Sequence, residues 1–392
     1  MDRPESVKIP TFLNSSYFET YFFDRLAVAL EKNRHHVLFD MTSVVWCDLM
    51  ELLCIPLAIV WLRRMDLKAE LVCFRPFFNR ENERKIREAS CVVEKPRTLN
   101  AIQGVKENRD YKHKAAFFWG TLVPFNFFQR VLGIGIRCHL EDWRGNRIPL
   151  TYEIMDTFSP KEKSLRYWGI ENVHRYSEVN NAADQVGEIL DKFIEDKEDI
   201  PTYSTLVRET GKNIVQHAYI KDDEKGDNLK PGLMAGRIFS TRGFQKLAAH
   251  AHKETKAYLS SISQNEVLSI SVVDVGQGIW NALDPDKTML EQECIRKAFE
   301  EFVSSKRLDG SDPNYGTGLF DVEQIINEKE AYLEIRSGQS RYVIMPKHLP
   351  TNNSKKAYHS HSDPKLNNFP GVQYRMYVPI KLQVSDEQLS LF

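Results

Sequence analysis

No two of the six cysteines (Cys47, Cys54, Cys73, Cys91, Cys138, Cys294) form a CxxC pair, and none is joined by a histidine at zinc-ligand spacing. Scattered mostly inside apolar runs, they read as reduced core thiols of a cytoplasmic protein, not as a disulfide framework. The chain also lacks an excess of either charge. Lys+Arg 53 against Asp+Glu 54 leave a formal net charge of -1, so there is no direct signal for coating nucleic acid by bulk electrostatics. The opening MDRPESVKIP lacks the basic-then-apolar order of an export signal. Long hydrophobic runs are missing as well. Residues 52–62, LLCIPLAIVWL, fall short of the roughly 17–25 residues that cross a bilayer. Residues 117–136 are interrupted by Asn126, Gln129 and Arg130, so both stretches read as core segments and no membrane contact is expected.

What is present is enough apolar material for at least two cores: 392 residues at 42% hydrophobic, where a domain holds roughly 100–200 residues. Residues 1–160 read as an N-terminal α/β domain. An amphipathic helix around 17–30 is followed by a short strand at 35–40, HHVLFD, and a turn. A helix over 49–64 then starts behind Asp48 as its cap, with Pro56 expected to kink or shorten it. Residues 69–74, AELVCF, read as a second strand. This strand, turn, helix, strand order resembles a STAS domain, the module that partners anti-sigma-factor kinases. That family carries a phosphate-accepting serine directly after the aspartate, where this chain has Leu49, Met50 and Glu51, so no phosphorylation switch is expected there. Residues 79–88 read as a solvated helix face, and residues 115–152 as further elements of the same domain.

In the second half, Val179, Ala182, Ala183, Val186, Ile189, Leu190, Phe193 and Ile194 mark one face of an amphipathic helix. Next comes LVRETGKNIVQHAY, residues 206–219, where Glu209, Asn213 and His217 recur every four residues and stack in one helical stripe. Taken alone, such a stripe is more often the wet side of a helix than a site. Residues 221–232 form a charged, Gly/Pro-marked excursion, and residues 243–261 a helix whose His250 and His252, two apart, face different ways. EVLSISVVD, residues 266–274, is a strand of β-branched residues ending on Asp274, followed at once by Gly276-Gln277-Gly278. A mainly helical stretch at 285–302 leads to Ser305 and Lys306, then to Gly316-Thr317-Gly318 opening a helix toward Ile326. Paired glycines before a helix let backbone N–H groups approach a phosphate, although an isolated pair is usually an ordinary turn. Strands at 331–337, 341–345 and 372–380 close the domain, with residues 346–371 read as a mobile loop bearing solvated His359 and His361.

ExxxN on a helix, DxGxG after a strand and GxG before a helix, in that order, resemble the GHKL superfamily of ATPases. The branch most similar is the anti-sigma-factor kinases, whose first motif also has a histidine four residues after the asparagine, as His217 follows Asn213 here. The resemblance implies a GHKL α/β sandwich over residues 175–382, a mixed sheet with helices on one face. It implies ATP and Mg2+ as ligands. Asn213 would bind Mg2+, Asp274 would accept from the adenine amine, and Gly276 and Gly278 would clear space for base and sugar. Ser305, Lys306, Gly316, Thr317 and Gly318 would contact the phosphates or let a lid close over them, and Glu209 would act as general base. His217 would pack beside the site. ATP binding would then change how the two halves of the chain, or two protomers, associate, and slow hydrolysis would reset them. Two alternatives stay open: a serine protein kinase of the anti-sigma type, and an ATP-gated scaffold that does not hydrolyse. A histidine kinase is not expected, since His174 is followed by Arg175 in place of an acidic residue. The flexible tail 383–392 ends in Gln388-Leu389-Ser390-Leu391-Phe392, which is similar to the pentapeptide that docks bacterial proteins on the replication sliding clamp. Its rival is a tail that folds back on the domain.

Overall fold

A computed structural model of the protein describes residues 5–10, 12–13, 22, 26, 36–40, 46–64, 67–72, 167–172, 176–217, 232–240, 251–262, 266–300, 317–349, 355–359 and 371–381. The architecture is mixed α/β, with a parallel sheet, an antiparallel sheet and helices. The chain divides into two compact units, Met1–Ser164 and Leu165–Phe392.

In the first unit β1 (Glu5–Lys8), β3 (His36–Asp40) and β5 (Lys68–Val72) form a parallel sheet in the order β1-β3-β5, and the two-residue strands β2 (Phe12–Leu13) and β4 (Trp46–Cys47) pair beside each other. Val37 and Phe39 are buried on alternate positions of β3, and the Phe22 ring stacks on Phe39 at 5.6 Å. Helix α1 (Leu49–Arg64) is buried at every position from Leu49 to Ile59. Asp48 caps it, accepting the Leu49 N–H on Oδ1 at 2.7 Å. Pro56 does not shorten the helix, which runs through it to Arg64. A mid-helix proline costs about 3 kcal/mol, whereas each fully buried aliphatic side chain returns about 1.5–3 kcal/mol, and this helix buries many. Of the expected helix at 17–30, only Phe22 and Leu26 are described, both buried. The stretches 79–88 and 115–152 lie outside the described residues.

The second unit is built on seven strands: β6 (Tyr167–Asn172), β7 (Gly232–Ser240), β8 (Glu266–Asp274), β9 (Tyr332–Ser337), β10 (Ser340–Ile344), β11 (Lys355–His359) and β12 (Val372–Ile380), in the order β11-β10-β9-β12-β8-β7-β6. Its described helices are α2 (Tyr176–Phe193), α3 (Ile200–His217), α4 (Lys253–Ser261), α5 (Gly278–Leu283), α6 (Glu291–Lys297) and α7 (Gly318–Glu328). Three sequence expectations need correction. The sheet is not mixed: every neighbouring pair is antiparallel. Strands β8 and β9, joined through helices, run parallel to one another, but β12 enters between them and pairs antiparallel with both, placing Tyr374 opposite Val272 and Ile335. Helices also lie on both faces. Residues 346–371, finally, are more than a loop, since they contain the edge strand β11.

One face of the sheet, with Leu268, Ile270, Val272, Leu333, Ile335, Met376 and Val378, packs against Val179, Val186, Leu206, Ile214, Val322 and Ile326 of α2, α3 and α7. The other face carries Tyr332, Glu334, Arg341, Arg375 and Tyr377, all buried. Those charges require partners: Glu334 has Arg375 and Arg341 within the sheet, and α4 adds Glu254, to which Arg341 donates at 2.9 Å, and Thr255, which bonds the Tyr332 hydroxyl at 2.8 Å. Among the described residues no helix is long and apolar enough to cross a membrane.

Candidate functional site

Strand β8 ends on Asp274, whose side chain is almost completely buried. Its Oδ1 accepts the Gly276 N–H at 2.7 Å, an Asx-type turn that reverses the chain directly after the strand. Burial pushes this carboxyl up from 3.8 to about 7, and the backbone N–H groups of Gly276 and Val372 offset only part of the rise. Gly371 lies against it with φ +87°. A Cβ there would stand 2.4 Å from Asp274 Oδ1 and 2.1 Å from its carbonyl oxygen, so this wall of the site requires glycine twice over. Gly278, at φ +77°, opens α5, and the neighbouring Ile279 N–H donates to Ser337 Oγ on β9 at 2.9 Å. Gln277, between the two glycines, donates through Nε2 to the carbonyl of His217 at 3.3 Å and ties the turn to the end of α3.

Helix α3 buries Leu206, Val207, Thr210, Gly211, Ile214 and Val215, and that stripe fixes which way Glu209 and Asn213 project. One turn apart, their Cβ atoms are about 5–6 Å from each other. Asn213 stands beside the Tyr374 hydroxyl, yet its Nδ2 is buried without a hydrogen bond of acceptable geometry. Tyr374, on β12, is buried, and its phenol is pushed far up by that burial first and by the Asp274 charge second. It stands beside Asn213 on α3, and the charge at the end of β8 is near enough to act on it. Glu209 meets two groups: Lys212 Nζ reaches its Oε1 at 2.6 Å, and a Cβ on Gly318 would lie 3.0 Å from its Oε2. Thr317 and Gly318 therefore open α7 against the Glu209 carboxylate.

The structure thus sets Gly318, at the start of α7, against Glu209, and it ties the turn that holds Asp274, Gly276 and Gly278 to the end of α3 through Gln277. Ser305, Lys306, Gly316 and the tail Gln388, Leu389, Ser390, Leu391 and Phe392 lie outside the described residues. His217 offers a backbone carbonyl to this site through Gln277, and His359 lies on β11. No protein-family model matches this chain, and no curated protein matches it. The chemistry of the site must be taken from its own groups. A buried carboxylate near its titration point, at the end of a strand, accepts hydrogen bonds from a planar donor such as an exocyclic amine. Asn213 and Glu209, one turn apart, offer a neutral oxygen and an anionic one to a polar ligand. Among the described residues no group of three His, Cys, Asp or Glu side chains could hold a metal ion, so a cation here needs most of its oxygens from the ligand and water. Tyr374, Gly371, Ser337, Gln277 and Lys212 were not singled out from sequence. Local signals existed for three of them: Gln277 sits between the two motif glycines, Lys212 follows Glu209 by three residues on one helix, and Pro370-Gly371 marks a turn ahead of the last strand.

Proposed function

We propose that residues 175–382 form a GHKL-type domain that binds and hydrolyses Mg-ATP as a nucleotide-gated switch, joined to a STAS-like N-terminal unit. What supports this most is one hydrogen bond: Gln277, inside the DxGxG turn, donates through Nε2 to the His217 carbonyl at 3.3 Å, so the turn lies at the end of the ExxxN helix. The residues present fit the group. Asn213 has a buried amide nitrogen without a well-formed hydrogen bond, and it would present its oxygen to Mg2+, which takes its remaining ligands from phosphate and water. Bound Mg-ATP supplies the labile phosphoanhydride and a cation that neutralises charge on the phosphates. Asp274 accepts a hydrogen bond from the adenine amine, which guanine cannot offer at that position. Glu209 takes a proton from the attacking water as general base. Gly318, seated on Glu209, couples the start of α7 to the base. The test is binding of a non-hydrolysable ATP analogue together with phosphate release in Mg2+. Wild type should bind and release phosphate. E209Q should bind as wild type with at least about tenfold less release, and D274A should lose binding. Binding without release by wild type would leave only an ATP-gated scaffold, and labelled phosphate on a partner serine would make the protein a kinase.

For the tail, we propose that Gln388-Leu389-Ser390-Leu391-Phe392 docks the protein on a bacterial sliding clamp, on the strength of the pentapeptide's resemblance alone. Deleting these residues should abolish binding to purified clamp. Unchanged binding after deletion, or none before it, removes the proposal.

A further inference from the structure

We infer that Lys212 is a positioning residue for Glu209, holding its carboxylate in place at the start of α7. The inference rests on Glu209 being the general base. Lys212 Nζ lies 2.6 Å from Glu209 Oε1, three residues along the same helix. Pairs of this kind on open helix surfaces contribute little and do not order the side chains much. This one differs in its surroundings. The Glu209 side chain is 17% exposed against 34% for Lys212, so the carboxylate is the more buried partner of the pair. Its other oxygen, Oε2, faces Gly318, where even a methyl group would come to 3.0 Å. The two oxygens therefore have separate neighbours: Oε1 is held by Lys212, and Oε2 is turned toward the first residue of α7.

Charge gives that arrangement a use. A carboxylate serving as base beside a polyanionic phosphate chain is repelled by it, and an unpaired side chain with several rotatable bonds would swing away. A cation fixed on the far oxygen offsets the repulsion and leaves the near oxygen free to accept a proton. Lys212 precedes Asn213 directly, so the residue that steadies the base and the residue offered to the metal ride on one rigid turn of α3. Loss of such positioning moves the base without removing it, and a displacement of about 1 Å costs up to roughly 100-fold in rate.

The experiment measures ATP turnover by the full chain in Mg2+ for K212M, K212R, E209Q and the K212M/E209Q double variant, with circular dichroism to check folding. K212M should lower kcat by about 10- to 100-fold with KM within about twofold, and K212R should recover most of the loss. Because Lys212 acts through Glu209, adding K212M to E209Q should lower kcat no further. The inference is overturned if K212M leaves kcat unchanged, if it changes KM alone, or if its effect multiplies fully with that of E209Q. If E209Q itself leaves kcat unchanged, Glu209 is not the base, and the role of Lys212 falls with it.

Discussion

At the scale of single residues, Asp274 and Gly371 set the character of the site. Asp274 is a carboxyl held near 7 by burial, against 3.8 when free. The folded protein therefore keeps a proton that the unfolded chain has released between about pH 4 and pH 7. Stability must fall as pH rises through that window and level off above it. D274N removes the ionisation while keeping an oxygen for the Gly276 N–H. We predict that D274N is more stable than wild type at pH 8, by an amount on the order of a few kcal/mol, and that the two converge near pH 4. Urea unfolding at both pH values measures this, and a gain of equal size at pH 4 and pH 8 would contradict it. Gly371 acts by space: its φ of +87° and the 2.4 Å approach to Asp274 Oδ1 leave no room for a side chain. G371A should cost about 3 kcal/mol or more in the same assay and abolish nucleotide binding, whereas an alanine tolerated within about 0.5 kcal/mol would show that the wall is not built this way.

At the scale of elements, what was legible from the sequence was what local pattern encodes. Strand β8 was found at its bounds because EVLSISVVD is a β-branched run closed by a carboxylate and glycines. Helix α3 was found because its apolar spacing leaves Glu209 and Asn213 on one stripe. What escaped depends on partners far along the chain. Strand β7, GLMAGRIFS, is rich in small residues and is a strand because β6 and β8 pair with it on either side. Tyr374 comes to lie opposite Val272 only because β12 enters beside β8, a pairing no local period announces. The polar face covered by α4 escaped for the same reason. Alternating Tyr332, Glu334 and Arg336 look like a solvated strand edge, yet all three are buried. Burial alone would raise the Glu334 carboxyl. Arg375, 3.3 Å away, and then Arg341 at 3.6 Å more than reverse this and hold it at about 2, against 4.5 when free. The stability this network contributes is present above about pH 4.5 and is lost as pH falls toward 2. E334Q would leave two buried guanidinium groups undercompensated, and we predict a loss of about 3–5 kcal/mol at pH 7 that shrinks on acidification. Denaturant midpoints at pH 7 and pH 3 check both parts, and a pH-independent loss would mean that packing, not charge, is at stake.

At the scale of the whole molecule, every described residue of the site belongs to one unit, Leu165–Phe392. Helix α3, the β8 turn, the start of α7 and Tyr374 all lie on or against the seven-stranded sheet, and the core beneath them is drawn from the same span. The first unit has its own parallel sheet and its own buried helix, α1. If the second unit carries the binding chemistry by itself, residues 165–392 produced alone should unfold in one cooperative transition, since the fragment keeps its core intact. It should also bind a non-hydrolysable ATP analogue within about threefold of the full chain, a difference of roughly 0.6 kcal/mol. Residues 1–164 alone should not bind it. The informative comparison is turnover, because a switch whose output is felt by its partner unit should change rate when that unit is removed, while affinity stays nearly constant. Equal affinity with altered kcat would place the first unit in the regulation of the second. Affinity lost together with cooperative unfolding would mean that the second unit does not fold alone. Affinity lost from a fragment that still unfolds cooperatively would mean that the first unit supplies part of the site.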